Sequence, residues 1–400
     1  MTRAKAVRPD EIRRHNLSLL LEEIHRHGEL SRAELTQRTG LNRSTIGALV
    51  TELTELSLVT EQVPTSNARA GRPSHLVGPR PDGPFVVAVD LEVDRLASAA
   101  VGLGGLVLCR RECYLGIDER QPEHVANLIA ADLQALSYGI DRASQPVGVG
   151  ISIPGTVTRD RSEIALSPNL DWHNISFSKL AEHRIEELTG WQLPVELGND
   201  ADLGALAEHL RGAGQGCDDV VFLTGRTGVG AGILVNGVAL LGHQGLAGEI
   251  GHVVLDPAGP SCHCGNAGCV ETYIGQPAVL SAVRCPTPPG REGLDWLDQA
   301  LPRFDSDVVA GMRTVAEPLG RTIATLVNVL NPQRVVLGGI LAKILQLARP
   351  EVEAALHRHA FDDPRGVAEL ATAELGADSS LIGAAELAFQ RLLGNPLVRS

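Results

Sequence analysis

Two separated segments of the chain repeat one pattern of strands, and this repeat constrains the fold more than any other feature. Residues 85–108 and 220–240 each read as an apolar strand, a polar or glycine-rich turn, a second strand, a glycine turn and a third strand. Helical periodicity covers residues 121–138, 178–189, 201–212, 308–330 and 380–394, and further apolar strands lie at 147–153 and 334–337. A duplicated strand unit with crossover helices predicts two α/β lobes around a ligand-binding cleft.

The chain is long enough for several folded units. Its 400 residues correspond to two to four domains at about 100–200 residues each. With 44% hydrophobic and 21% charged residues, the composition excludes a disordered or fibrous protein. The sequence has no signal-peptide pattern and no uncharged apolar run of the roughly 18–20 residues that span a bilayer. We therefore expect a cytoplasmic protein without a membrane partner.

The first 80 residues differ in charge from the rest of the chain. They carry 12 Lys and Arg against 9 Asp and Glu, a net charge of +3, whereas residues 81–400 carry 23 against 39, a net charge of −16. Only the first segment is suited to a polyanion such as DNA.

Helix and strand signals in this basic segment predict a winged helix-turn-helix. Ser31 and Glu34 form a capping box at the start of a short second helix, and Asn42 caps a third. The predicted helices cover residues 11–27, 32–39 and the residues after Asn42, and the wing strands cover 58–63 and 75–77. Pro79, Pro81, Gly83 and Pro84 form a stiff linker after the wing.

In a winged helix-turn-helix, the start of the second helix of the motif lies in the major groove of DNA. The candidate DNA-binding residues are Ser31, Arg32, Asn42, Arg43, Ser44, Thr45, Arg69 and Arg72. The two wing arginines, Arg69 and Arg72, are placed to reach phosphates or the minor groove. The alternative is a small helical packing domain without a nucleic-acid role, in which these arginines are merely solvated.

A cysteine cluster in the second half of the chain predicts a metal site. Cys262, Cys264 and Cys269 lie within eight residues, in a loop with glycines that let it fold back. Three thiolates and one imidazole complete a tetrahedral structural zinc site. Spacing alone leaves the imidazole open among His243, His252 and His263, and the alternative to a metal is three free core cysteines. Seven cysteines at uneven spacing argue against a disulfide framework.

Two further motifs each have two interpretations. Asn199 and Asp200 end a predicted strand just before a helix, so they either grip vicinal sugar hydroxyls or simply cap the helix. As a carboxylate, Asp200 also suits a general base. The glycines within 224–232 either expose backbone N–H groups to a phosphate or form a tight hairpin, and they do not have the spacing of a dinucleotide fingerprint.

Residues 84–395 closely resemble the ROK family of repressors and sugar kinases. The motifs that carry the resemblance are Gly248–His252 joined to Cys262–Glu271, Ile153–Gly155, Pro168–Leu170, Asn199–Ala201 and Asn331–Gly339. With the winged helix-turn-helix in front, the chain is similar to the repressor branch of that family. The resemblance implies an N-terminal α+β winged helix-turn-helix followed by an α/β actin-like ATPase (ribonuclease H-like) fold of two lobes.

The resemblance also implies specific site residues. Zinc would be bound by His252, Cys262, Cys264 and Cys269. Sugar hydroxyls would contact Gly155, Asn169, Asn199, Asp200, Glu249, His252 and Glu271. The zinc loop would brace Glu249 and Glu271 beside the sugar, so the metal is structural but supports the ligand site.

One hairpin departs from the family's kinases. Their phosphate-binding Asp-x-Gly-x-Thr motif is degenerate here at Leu91, Glu92 and Asp94. Glu92 replaces the glycine that lets backbone approach ATP, and Asp94 replaces the hydroxyl residue, so two carboxylates would face a polyphosphate. This departure predicts that the protein is not an enzyme. Asp200 occupies the position of the family's catalytic base, where it would still bind a sugar hydroxyl.

The sequence therefore predicts a DNA-binding domain over residues 1–80, a first lobe over 84–200 on which a helix at about 380–395 packs back, and a second lobe over 201–379. We expect a homodimer or homotetramer that represses carbohydrate genes from a palindromic double-stranded operator and responds to a sugar or sugar phosphate. A protein partner is an alternative regulator. The alternative functions are an ATP-dependent sugar kinase with an added DNA-binding head, and a zinc-stabilised scaffold without a ligand.

Overall fold

The computed structural model describes residues 9–62, 75–140, 146–303, 305–361 and 368–397. The chain divides into two compact units. The first contains Met1–Gly198 and Ala384–Ser400, and the second contains Asn199–Gly383. The first unit thus groups the basic N-terminal segment with the first strand repeat. In the described part of the chain no helix is both long and apolar enough to cross a membrane.

The first unit begins with the predicted helix-turn-helix and wing. Its elements are α1 (Pro9–His27), β1 (Leu30–Ser31), α2 (Arg32–Thr39), α3 (Arg43–Glu55), β2 (Val59–Gln62) and β3 (Leu76–Pro79). The predicted capping box is confirmed, since the Glu34 N–H donates to Ser31 Oγ at 3.2 Å and the Ser31 N–H donates to Glu34 Oε2 at 2.8 Å. The three strands pair in the order β1-β3-β2, and the two-residue β1 was not predicted.

The apolar stripe of α1 forms the core of this head, with one exception. Leu17, Leu20, Leu21 and Ile24 share one face of the helix and are buried. Ile12 continues this apolar face in the sequence but is 49% exposed. Residues 10–15 are all exposed, so the start of α1 extends past the core that buries its second half.

A mixed five-stranded sheet follows in the first unit. Its further elements are β4 (Phe85–Leu91), β5 (Arg95–Gly102), β6 (Val107–Tyr114), α4 (Pro122–Gly139), β7 (Pro146–Ile153), β8 (Thr156–Val157), β9 (Ile164–Ser167), β10 (Trp172–Ile175), α5 (Phe177–Thr189) and β11 (Val195–Asn199). The sheet order is β11-β7-β4-β5-β6, with β4 parallel to β7 and antiparallel to β5. Strands β8 to β10 form a separate small sheet.

The second unit repeats this strand arrangement. Its elements are α6 (Asp200–Arg211), β12 (Val220–Gly225), β13 (Val229–Val235), β14 (Val238–Ala239), α7 (Glu271–Ile274), α8 (Gln276–Ala282), α9 (Arg291–Ala300), α10 (Ser306–Leu330), β15 (Arg334–Gly338), α11 (Gly339–His359), β16 (Glu369–Thr372) and α12 (Ser379–Gly394). The sheet order is β14-β13-β12-β15-β16. If the strands of each sheet are numbered in chain order, this is the order of the first sheet read from its opposite edge. The predicted duplication is therefore confirmed.

Each unit has its own apolar core. In the first, alternate residues of β4 pack with α4, including Phe85, Val87, Val89, Ile129 and Leu133. In the second, β12 and β15 pack with α10 and α11, through residues that include Val221, Leu223, Val335, Ile323 and Leu341. The last helix, α12, is shared, since its residues 379–383 belong to the second unit and 384–394 to the first.

Candidate functional sites

The start of α3 exposes three polar side chains. Asn42 Oδ1 accepts from the Thr45 N–H at 2.9 Å and from Ser44 Oγ at 2.6 Å, so Asn42 caps the helix as predicted. Asn42, Arg43 and Ser44 are exposed, and Thr45 is half-buried. This leaves the first turn of α3 accessible to a nucleic acid.

Two other candidate DNA-binding residues have structural partners. Ser31 is the N-cap of α2. Arg32 forms a two-pronged ion pair with Glu61, with Nε and Nη2 at 2.7 and 2.8 Å from the two carboxylate oxygens. This pair fixes the start of α2 against the wing strand β2. Arg69 and Arg72 lie outside the described residues.

The cysteine cluster is brought together with one histidine. The ligand atoms of His252, Cys262, Cys264 and Cys269 all lie within 4.8 Å of one another. The distance is 3.7 Å from Cys264 Sγ to Cys269 Sγ and 3.7 Å from Cys262 Sγ to His252 Nδ1. Tetrahedral Zn–S bonds of about 2.3 Å place neighbouring ligands about 3.8 Å apart. The four side chains therefore fit a metal of that size.

Of the three histidines left open by spacing, the structure brings His252 to the sulfurs. His263 is 62% exposed, and its Nδ1 lies 3.1 Å from Glu271 Oε1. With His252 and Glu271 it forms a second, overlapping group. Among the described residues, His243 is exposed and belongs to neither group.

The loop geometry depends on one glycine. Gly268 has φ +69°, and a Cβ there would lie within bonding distance of the Asp256 carbonyl. Only glycine permits both the left-handed backbone and this contact. The turn places Cys269 next to the segment that holds His252, since Cys269 Sγ lies 3.6 Å from the His252 carbonyl.

The thiols of the cluster differ in acidity. Burial raises the pKa of Cys262 to about 12, and its bond to Glu271 contributes to the shift. Burial also raises the pKa of Cys269, whereas the N–H of Asn266 lowers the pKa of Cys264 to about 7. A bound cation would favour the thiolate form of all three.

Glu271 links the cysteine cluster to the candidate sugar residues. Its Oε1 accepts from Cys262 Sγ at 2.9 Å and lies 3.7 Å from His252 Nδ1. Nearby Glu249 is open to solvent, yet the protein around it desolvates the carboxyl and raises its pKa, and the charge of Glu271 raises it further. Two carboxylates and an imidazole thus share one surface of the second unit, a donor and acceptor set suited to hydroxyls.

Strand β13 positions both halves of this set. A Cβ on Gly232 would lie 2.2 Å from the Ala201 carbonyl, so the first turn of α6, with Asp200, packs directly on the strand. A Cβ on Gly251 would lie 2.4 Å from the Val229 carbonyl, so the segment from Glu249 to His252 packs on the same strand. These contacts favour the packing interpretation of the glycine-rich hairpin.

Asn199 also acts as a helix cap. Its Oδ1 accepts from the N–H groups of Ala201 and Asp202 at 2.9 and 3.1 Å. The cap interpretation is thus correct for this oxygen.

The remaining sugar candidates lie in the first unit, where Gly155 packs against Ser167 and Asn169 is exposed in the next turn. A Cβ on Gly155 would lie 2.5 Å from the Leu166 carbonyl.

The degenerate phosphate hairpin contains a residue that sequence reasoning missed. Arg95 Nη2 donates to Glu92 Oε1 at 2.6 Å and lies 3.5 Å from Asp90 Oδ2. Its Nη1 lies 3.4 Å from Glu112. Buried Asp90 also accepts from Ser152 Oγ at 2.8 Å. Arg95 thus partly neutralises these carboxylates. The sequence signal that could have revealed this pairing was the position of Arg95 at the start of the second strand.

Two family models match parts of the chain. The ROK family model matches residues 86–391, and the MarR family model matches residues 18–70. The xylose repressor of Bacillus subtilis strain 168 is 25% identical over 386 residues, which cover 96% of this chain and 97% of the relative.

Two solved structures resemble the chain to different extents. A ROK family transcriptional regulator, a homolog of the E. coli MLC protein, is 25% identical with a TM-score of 0.75, covering 96% of this chain and 97% of its own. A ROK family glucokinase from Streptomyces griseus, solved with glucose and AMPPNP, is 28% identical with a TM-score of 0.64, covering 76% of this chain and 99% of its own. The regulator therefore matches the head as well as the lobes.

Proposed function

The chain belongs to the ROK family, and on that premise we propose that it is a sugar-responsive transcriptional regulator that represses carbohydrate genes. The observation that carries the proposal is a winged helix-turn-helix joined in one chain to a unit in which one strand, β13, positions both Asp200 and the segment from Glu249 to His252. The similarity to a xylose repressor over nearly the whole length supports it.

In this proposal α3 reads the operator. Asn42, Arg43, Ser44 and Thr45 contact base edges and phosphates at the start of the helix, and Arg69 and Arg72 contact DNA from the wing. Ser31 and Arg32 lie at the start of α2. They contact DNA in addition to capping the helix and pairing with Glu61, respectively. Two or four copies place paired heads on a palindromic double-stranded operator.

The effector is a sugar or sugar phosphate. Its hydroxyls are bound by the candidate residues Gly155, Asn169, Asn199, Asp200, Glu249, His252 and Glu271. Sugar binding at these residues changes the affinity of the head for DNA. By linkage, the sugar must then bind the DNA-bound and the DNA-free protein with different affinities.

Zinc is the metal that suits the four ligands. His252, Cys262, Cys264 and Cys269 would hold it, and its contribution when bound is structural, because all four positions are taken by protein. A zinc-bound Cys262 would be a thiolate with no proton to donate, but the same loop carries His263, whose Nδ1 lies 3.1 Å from Glu271 Oε1, so the metal loop would still orient a sugar-binding carboxylate.

A kinase activity is the second candidate, favoured by the similarity to the glucokinase and by Asp200 at the base position. Glu92 and Asp94 oppose it, since neither supplies what a polyphosphate needs at this hairpin. Sugar-dependent ADP release from ATP and Mg²⁺, at about 1–100 per second, would establish the kinase. We expect none above background.

The test is fluorescence anisotropy of labelled DNA from upstream of the protein's own gene, at about 150 mM salt. The panel contains D-xylose, D-glucose, N-acetylglucosamine and their phosphates. We expect binding at least about 1,000-fold tighter than to random DNA, shifted at least about fivefold by one sugar. Glu249→Ala should keep the DNA affinity and lose the sugar response. The proposal would be refuted if the protein bound the upstream DNA and random DNA with equal affinity, or if Glu249→Ala kept the wild-type sugar response.

A further inference from the structure

A buried histidine joins the DNA-binding head to the rest of the first unit. The His25 side chain, on α1, is 4% exposed, and its Nε2 lies 2.8 Å from Glu386 Oε2 on α12, which is 2% exposed. The Gly104 N–H, in the turn between β5 and β6, donates to His25 Nδ1 at 3.0 Å. The ring also packs on Phe389, with centroids 5.0 Å apart.

The contact from Gly104 fixes the state of this imidazole. A backbone N–H can only donate, so His25 Nδ1 is the acceptor and carries no proton. The ring proton is then on Nε2, directed at the Glu386 carboxylate. One imidazole thus bonds to polar groups of two other elements, the half-buried Gly104 N–H and the buried Glu386 carboxylate.

Helix α12, which carries Glu386, also contacts the candidate sugar segment at its other end. Ser380 Oγ donates to the backbone carbonyl of Asp200 at 3.0 Å. A Cβ on Gly383 would lie 2.0 Å from the Leu203 carbonyl, so α12 and α6 are in backbone contact. Movement of the first turn of α6 must therefore displace the start of α12 or strain this contact.

The middle of α12 is held equally closely in the first unit. A Cβ on Gly150 of β7 would lie within van der Waals overlap of the Ala384 carbonyl. From Ser380 to Glu386 the helix rises about 9 Å, at about 1.5 Å per residue, and the segment contains no proline. No proline interrupts the hydrogen bonds of this segment, so Ser380 and Glu386 lie on one continuous stretch of helix.

We propose that α12 couples the Asp200 segment to the DNA-binding head, with His25 as the positioning residue that receives the movement through Glu386. The role in sugar response rests on the proposed function, whereas the mechanical coupling does not. A sugar that shifts Asp200 would change the seating of α1, and operator binding would change the Asp200 segment in return.

The test is hydrogen–deuterium exchange on the full-length protein, read in peptides covering residues 17–28 and 199–205. Ser380→Ala removes the bond to Asp200 and should speed exchange in residues 17–28 at least threefold, while Ser380→Thr restores the wild-type rate. Ser137→Ala removes a comparable helix hydroxyl bond, to Leu133, and serves as the control with no change expected.

The reverse perturbation starts at the head. His25→Asn keeps an acceptor near the Gly104 N–H but loses the bond to Glu386, and it should speed exchange in residues 199–205 at least threefold. Glu386→Gln keeps the acceptor oxygen and should have a smaller effect. If Ser380→Ala alters only α6 and α12, and His25→Asn alters only the head, the coupling does not exist.

A second measurement separates this inference from the proposed function. Calorimetry with D-xylose, D-glucose and N-acetylglucosamine determines whether wild type and His25→Asn bind sugar. If no sugar binds the wild type, the proposed function fails, while exchange still decides the coupling. If a sugar binds both and shifts DNA affinity equally in both, the coupling is refuted and the regulator stands.

Discussion

At the scale of single residues, Glu271 is the point where the candidate metal ligands and the candidate sugar-binding residues meet. It is the first residue of α7, its carboxylate accepts from Cys262, and it lies beside His252 and His263. Substitution of a metal-ligand residue should therefore change sugar affinity through the Glu271 side chain.

Cys269→Ser should remove the metal and weaken sugar binding. The thiol is fully buried in the cluster, so a hydroxyl leaves a three-ligand site that holds zinc poorly. We expect metal analysis to fall from about one zinc per chain to near zero, and sugar affinity to drop about tenfold. Cys285→Ser, outside the cluster, is the matched control and should retain the metal. Full zinc retention by Cys269→Ser would contradict the ligand assignment.

Arg43→Ala should weaken DNA binding. The guanidinium is exposed at the start of α3, so its loss removes a contact without disturbing the core. The expected cost is about 1–3 kcal/mol, and the slope of log affinity against log salt should fall by about one if the contact is to a phosphate. Arg284→Ala, 78% exposed in the second unit, should leave both quantities unchanged. Equal affinity of Arg43→Ala and wild type would remove α3 from the interface.

The sequence predicted the types of site residue better than their partners. Cysteine spacing indicated three candidate ligands and left the histidine open, because the loop before Cys262 has no fixed length requirement; the ROK resemblance implied His252, and the folded loop brings it to the sulfurs. Likewise, the substitution at Glu92 was visible, whereas its pairing with Arg95 depends on the register of β4 and β5. Contacts set by register or by loop closure are not encoded in local spacing.

At the scale of elements, the regular periodicities were predicted and the interrupted ones were not. α3 and α10 carry continuous apolar stripes, and both match the predictions. α11 was missed, and it consists of two helical pieces joined at Ala348, where φ is −133°. A proline alone does not explain this, since α10 was predicted although Pro318 lies inside it, so the non-helical backbone at Ala348 is what sets α11 apart.

Gly150→Ala should destabilise the first unit. The added methyl would overlap the backbone carbonyl of Ala384, which cannot rotate away as a side chain can. We expect a loss of about 3 kcal/mol in the free energy of unfolding, measured by denaturant titration. Gly139→Ala is the control, since no atom lies within 4 Å of its added methyl, and it should change stability by less than about 0.5 kcal/mol. Equal stability of the two variants would show that α12 does not pack on β7 this closely.

The capping box of α2 should make the stability of the head depend on pH. The N–H and hydroxyl of Ser31 lower the pKa of Glu34 below its ordinary 4.5. A lowered carboxyl pKa stabilises the fold above pH 4.5, and this stabilisation is lost as the pH falls through the folded-state value. Glu34→Gln should therefore melt lower than wild type at pH 7, and the difference should shrink below pH 4.5. A difference independent of pH would mean that the charge of Glu34 contributes nothing.

At the scale of the whole molecule, the winged helix-turn-helix and the segment that begins at Asp200 belong to different units, and one helix, α12, has residues in both. The repeat in the sequence predicted the two sheets, and charge predicted the basic head. The contacts of α12 with α6 and with His25 join residues more than 170 positions apart, and no local pattern announces such pairs. They follow from the fold and could only be found in it.

If sugar and operator binding are coupled, each ligand must change the affinity of the protein for the other by the same factor. The sugar identified by anisotropy is titrated by calorimetry into the free protein and into the protein saturated with its operator. We expect the two sugar dissociation constants to differ at least about fivefold, by the same factor that the sugar changes operator affinity. Identical sugar affinity with and without operator DNA would show that the two sites are not coupled.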